Sequence, residues 1–140
     1  MFLTNNSSRF RDFGLFIIRF GMGVILAYVH GYGKITGGID AWHQNGAAVS
    51  NLGIHFGYAF WGFMSAFAEF MGGIFIALGL LFRPFSIIVV INFIIATVTM
   101  LNVTTIDKAS NAIVFLCVFL GLLITGPGKF SGDQLIGLNK

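Results

Sequence analysis

The sequence predicts an all-α protein, a membrane-spanning bundle of four helices, and three observations carry that expectation. The chain is 56% hydrophobic and only 9% charged over 140 residues, whereas a soluble domain carries about 25% charged residues. Its mean hydropathy is +0.89, which leaves too little polar surface to coat a water-soluble globule. The apolar residues gather into long runs separated by Gly-rich, Pro-containing or polar breaks, and about 20 apolar residues span the hydrocarbon core of a bilayer. Residues 1–140 therefore read as a single membrane domain.

Taken in order, a polar start with Arg9 and Arg11 leads into a first helix expected over residues 12–32. This run is long, contains Arg19 and lacks a small-residue cleavage site, so it reads as a retained membrane helix rather than a signal peptide. Gly31, Gly33, Gly37 and Gly38 then break the pattern. The connection over residues 33–57 is the longest in the chain. Its middle, residues 40–52, is expected to form a short interfacial helix with Trp42 at headgroup level. The second helix is expected over residues 58–82 and the third over residues 85–101. Between them Arg83-Pro84 makes the turn, with proline placed where its missing N–H costs nothing. A polar loop, NVTTIDKASN, precedes a fourth helix over residues 112–125, which Gly126-Pro127-Gly128 ends.

The net charge of +3 and isoelectric point near 9.4 do not point to nucleic acid, because the basic residues sit at segment ends and form no stripe. Four spans put both termini on one side. That side carries Arg9, Arg11, Arg83, Lys129 and Lys140, against Lys34 and Lys108 on the other. The excess of basic residues predicts that both termini are cytoplasmic. The one cysteine, Cys117, forms no CxxC pair and no metal cluster. His43 and His55 have no partner at metal-ligand spacing, so a metal site is not expected.

Inside the bilayer the informative residues are the polar ones. Arg19 and His30 lie about three helical turns apart and share a face of the first helix, with Gly23 and Lys34 within about 40° of it. The second helix has a matching face of small residues, Gly62, Ala66, Gly73 and Ala77, interrupted by Glu69. Small residues at such spacing let helices approach closely in lipid. At 1.5 Å of rise per residue, Arg19 falls about 10 Å, Glu69 about 20 Å and His30 about 27 Å from the cytoplasmic end of their helices. Glu69 is therefore expected between Arg19 and His30, with Asn92 of the third helix as a further partner. Arg19, His30, Lys34, Glu69 and Asn92 are the candidate residues of a polar cavity or ligand-binding site, since ionisable residues within a span mark such sites. The competing expectation is a structural clamp in which Arg19 pairs with Glu69.

Three segments, RFGMGVILAYVHGYGKITGG, AEFMGGIFIALGLLFRPFS and the exit GPGKFSGD, resemble the DoxX-like family of small integral membrane proteins. They cover most of the chain in the family's order. The resemblance implies a four-helix membrane bundle in the bacterial inner membrane. It also implies an accessory or quinone-contacting subunit of a membrane redox assembly, in thiosulfate or thiol oxidation or in oxidative-stress defence. A quinone is then the implied cofactor, with partner subunits or a homo-oligomer around it. The lack of a cysteine pair counts against a thiol relay by this chain alone, and no side-chain set points to an enzyme acting alone. Two alternatives stand beside this reading: a non-catalytic assembly or scaffold protein held by the Arg19–Glu69 clamp, and a small-molecule or lipid permease.

Overall fold

The computed structural model describes residues 2–138, with side chains described from residue 8 onward; Lys140 lies outside the described residues. Helix α1 (Phe2–Ile25) continues through a π turn (Leu26–Gly31) into α2 (Tyr32–Thr36). After a break at Gly37 the chain forms α3 (Gly38–Gly46) and a 3-10 turn (Ala47–Leu52). Then come α4 (Tyr58–Leu78), α5 (Phe82–Val103), α6 (Ile106–Thr125) and a single-turn α7 (Gly132–Leu135). Four helical stretches are long and apolar enough to cross a membrane: Ser8–Thr36, Tyr58–Leu78, Phe82–Val103 and Ile106–Thr125.

The first span packs against α4 through residues without bulk. A Cβ on Gly23 would lie 2.6 Å from the Gly73 carbonyl, and one on Gly31 would lie 2.5 Å from the Phe70 nitrogen. Backbones this close exchange dispersion and Cα–H contacts, the main cohesive terms between helices in lipid. On the other side, α5 and α6 are joined by stacked rings. Phe93 and Phe115 are 5.0 Å apart, and Phe115 and Phe119 5.9 Å apart, all of them buried.

The segment after α2 contains a short helix, as expected for residues 40–52. It folds as α3 and a 3-10 turn, and α3 packs directly on the first turns of α4. A Cβ on Gly46 would overlap the Tyr58 carbonyl, and one on Gly62 would overlap that of Trp42. The Trp42 ring meets Phe63 edge-on at 4.9 Å, and its indole N–H donates to the Lys34 carbonyl at 2.9 Å. Trp42 thus ties α3 to the end of the first span.

Other boundaries shift for local reasons. Helix α4 stops at Leu78 because Gly79, at φ 66°, turns the chain, with Leu80 N–H bonding Phe75 O at 3.0 Å and Gly79 N–H bonding Ile76 O at 3.1 Å. Helix α5 begins at Phe82, so Pro84 is its third residue rather than a residue ahead of it. The first turn has no intrahelical acceptors for its N–H groups, so the proline is tolerated there. Helix α6 begins at Ile106, ahead of the expected start. Its polar first turns, with Asp107 favourable at the positive end of the helix, resemble a loop in composition only.

Candidate functional site

Glu69 lies midway along α4 on the face turned to the first span, its side chain only 5% exposed. Lys34 of α2 reaches it with Nζ 2.8 Å from Oε1 and 2.7 Å from Oε2. Asn92 of α5 donates its Nδ2–H to Oε1 at 3.3 Å. The carboxylate therefore joins three helices. The π turn helps bring Lys34 there: its wider turn resets the helical register between Gly23, packed on Gly73, and Lys34, aimed at Glu69.

These three side chains form the polar floor of a cavity of about 540 Å³ between α4 and α5, covered by residues around the α3–3-10 junction. Its walls are mostly apolar, among them Phe60, Trp61, Met64, Ile91 and Ile95. Several donors at the site remain unused. Lys34 has three N–H groups and Asn92 two, of which the carboxylate takes a part. The Trp61 indole N–H is buried with no partner.

Arg19 and His30 are elsewhere. Arg19 is 1% exposed and donates Nη2–H to the Phe130 carbonyl at 2.7 Å. It packs against Gly79, where a Cβ would overlap Nη1. The expected Arg19–Glu69 clamp is thus corrected. Gly79 lies about 15 Å along the helical path from Glu69, and the register fixed by Gly23 and Gly31 holds Arg19 at that far level. The expected depths take the two helices to end at one level, whereas Arg19 lies level with Gly79, just past the last residue of α4, and the turns of α1 before it extend beyond α4. His30 sets its ring edge-on against Phe115 of α6 at 4.9 Å and does not line the cavity.

Asp133 had no role in the sequence reading. Its Oδ1 accepts from Leu81 N–H at 2.7 Å and its Oδ2 from Phe82 N–H at 2.9 Å. A tail carboxylate thereby caps α5, whose N-cap residue Leu81 is held at φ 44°. The available signal was a Ser131-Gly132-Asp133 triplet just past an apolar span, polar where a plain exit needs no such residues. Among the described residues no three His, Cys, Asp or Glu side chains converge in the way a metal site needs.

The model of the DoxX family matches residues 14–102, more than half of the chain. The chain belongs to the DoxX family. The DoxX match takes in Lys34, Glu69 and Asn92 and stops short of α6 and the capping Asp133. No curated protein and no solved structure matches the chain.

Proposed function

We propose that this DoxX-family protein is an accessory subunit of a membrane redox assembly and holds the head of a quinone in the α4–α5 cavity. One observation carries the reading: a buried Lys34–Glu69 ion pair with Asn92 at the base of an otherwise apolar cavity of about 540 Å³. Ligand sites combine apolar walls with a few convergent polar groups in this way, and the volume is in their usual range. The flat ring fits walls such as Phe60, Trp61 and Ile95. Its carbonyl oxygens accept from the spare N–H groups of Lys34 and Asn92. A quinone supplies two-electron, two-proton redox chemistry. This chain's part is to orient the ring, exclude water and keep an exchangeable proton on Lys34 beside the Glu69 carboxylate.

Exposed Arg9, Arg11, Arg83 and Lys129 support placing both termini in the cytoplasm of a bacterial cell, with the protein in its inner membrane. A second reading, a scaffold protein with no ligand, draws on the same ion pair, which ties α2 to α4. Native mass spectrometry of protein extracted in mild detergent separates the two. A co-isolated quinone that is lost in folded Glu69→Gln supports the first. Absence of quinone, together with no quenching of Trp61 emission by added short-chain quinone in Trp42→Phe protein, rejects it.

A further inference from the structure

At the other end of the bundle a second crevice holds a buried cation that the protein leaves under-partnered. Of the N–H groups of Arg19, Nη2 bonds the Phe130 carbonyl, while Nε and Nη1 are buried without a partner. Asp133 acts on the guanidinium through space, yet both of its oxygens are engaged by Leu81 and Phe82. Among the described residues Arg19 forms no ion pair within 4.0 Å. The Phe16 ring, 5.7 Å from Cζ, supplies only a weak cation–π contact. A buried guanidinium with unused donors is costly unless an anion meets it.

The crevice that Arg19 lines has a volume of about 420 Å³. Its other walls are nearly all apolar, and Phe20, Leu78, Phe130, Leu135 and Ile136 among them are exposed on the outer surface. Depth adds a third constraint. Arg19 packs on Gly79, where α4 ends and the chain turns toward α5, so the guanidinium sits where the hydrocarbon gives way to headgroups. Arg83 and Lys129 stand exposed at the same end.

We propose that this crevice binds an anionic phospholipid, with the phosphate drawn to the Arg19 guanidinium, whose charge no carboxylate among the described residues meets in an ion pair. An acyl chain then lies along Phe20, Leu135 and Ile136. The guanidinium charge matches a phosphate, and the apolar walls match a hydrocarbon chain. Basic residues at this level favour a net-negative lipid over a zwitterionic one. The site is separate from the α4–α5 cavity and shares none of its lining residues.

The test is lipid binding to the full chain in neutral detergent, counted by native mass spectrometry during titration with phosphatidylglycerol or phosphatidylcholine. The expected result is about a tenfold preference for phosphatidylglycerol, because both lipids carry the phosphate but only phosphatidylcholine adds a cation for the basic residues to repel, with no competition from sn-glycerol 3-phosphate. Arg19→Gln weakens binding of both lipids and lowers the preference. Because Arg19 also holds the tail, Leu135→Glu gives an independent reading: Leu135 is 88% exposed, so the fold stands while a carboxylate on the rim repels the headgroup and lowers the preference. Equal affinity for the two lipids in the parent protein overturns the proposal, as does an unchanged preference in folded Leu135→Glu. Full competition by sn-glycerol 3-phosphate also overturns it, by showing a socket for a free anion.

Discussion

The Lys34–Glu69 pair makes an asymmetric prediction, because its two partners are unequally buried. The Glu69 side chain is 5% exposed and that of Lys34 32%. Glu69→Gln leaves an ammonium that can draw water through its exposed part, and the amide still accepts one hydrogen bond. The expected cost is about 1–2 kcal/mol, that of one weakened hydrogen bond. Lys34→Met instead strands a buried carboxylate whose remaining side-chain donor is Asn92. Removing one partner of a buried pair costs about 3–5 kcal/mol, and here the group left behind is the more buried one. The neutral double variant, Lys34→Met with Glu69→Gln, strands no charge and should recover about 2 kcal/mol relative to the sum of the single changes. Equilibrium unfolding in mixed micelles, followed by helical circular dichroism, reads all three. If Lys34→Met proves no more costly than Glu69→Gln, or if the two changes simply add, then the ion pair is not the buried tie described above.

Other parts of the structure yield further tests. Gly31→Ala pushes a methyl group to 2.5 Å from the Phe70 backbone nitrogen, so the first span and α4 must separate. A loss of about 2 kcal/mol is expected, against little change for Gly21→Ala, where nothing lies within 4 Å; thermal unfolding of the two variants side by side checks this. Asp133→Ala leaves the Leu81 and Phe82 N–H groups without their acceptors. It should destabilise by about 1–3 kcal/mol, with faster hydrogen exchange concentrated in the first turn of α5. His30→Phe keeps a ring against Phe115 and leaves the α4–α5 cavity untouched, so quinone quenching of Trp61 in a Trp42→Phe background should match that of the unsubstituted site. A changed quinone affinity would show that His30 communicates with the cavity.

What could be read from the sequence followed from chemistry that acts over a few turns. Apolar length identifies the four spans, since each must satisfy its backbone internally in lipid. Gly126 ends α6 where expected, at φ 81°. The inward direction of Glu69 follows from the cost of a carboxylate facing hydrocarbon. Small residues on the first and second apolar runs mark the faces that meet, and Gly23 and Gly73 are found there, whereas Gly31, expected to break the helix, lies within the helical stretch and packs on Phe70.

Which residues pair across those faces depends on tertiary structure. Pairing is set by the longitudinal register of two helices, and a shift of a few residues exchanges one partner for another. The backbone contacts of Gly23 and Gly31, together with the π turn between them, deliver Lys34 to Glu69 and leave Arg19 at Gly79. The cap on α5 is likewise invisible locally, because its acceptor, Asp133, arrives from beyond α6. The sequence alone determined that Glu69 must be met inside the bundle, because an unmet charge in lipid is too costly. Only the packed structure decided that Lys34 and Asn92 meet it, because contact distance rather than charge selects the partner.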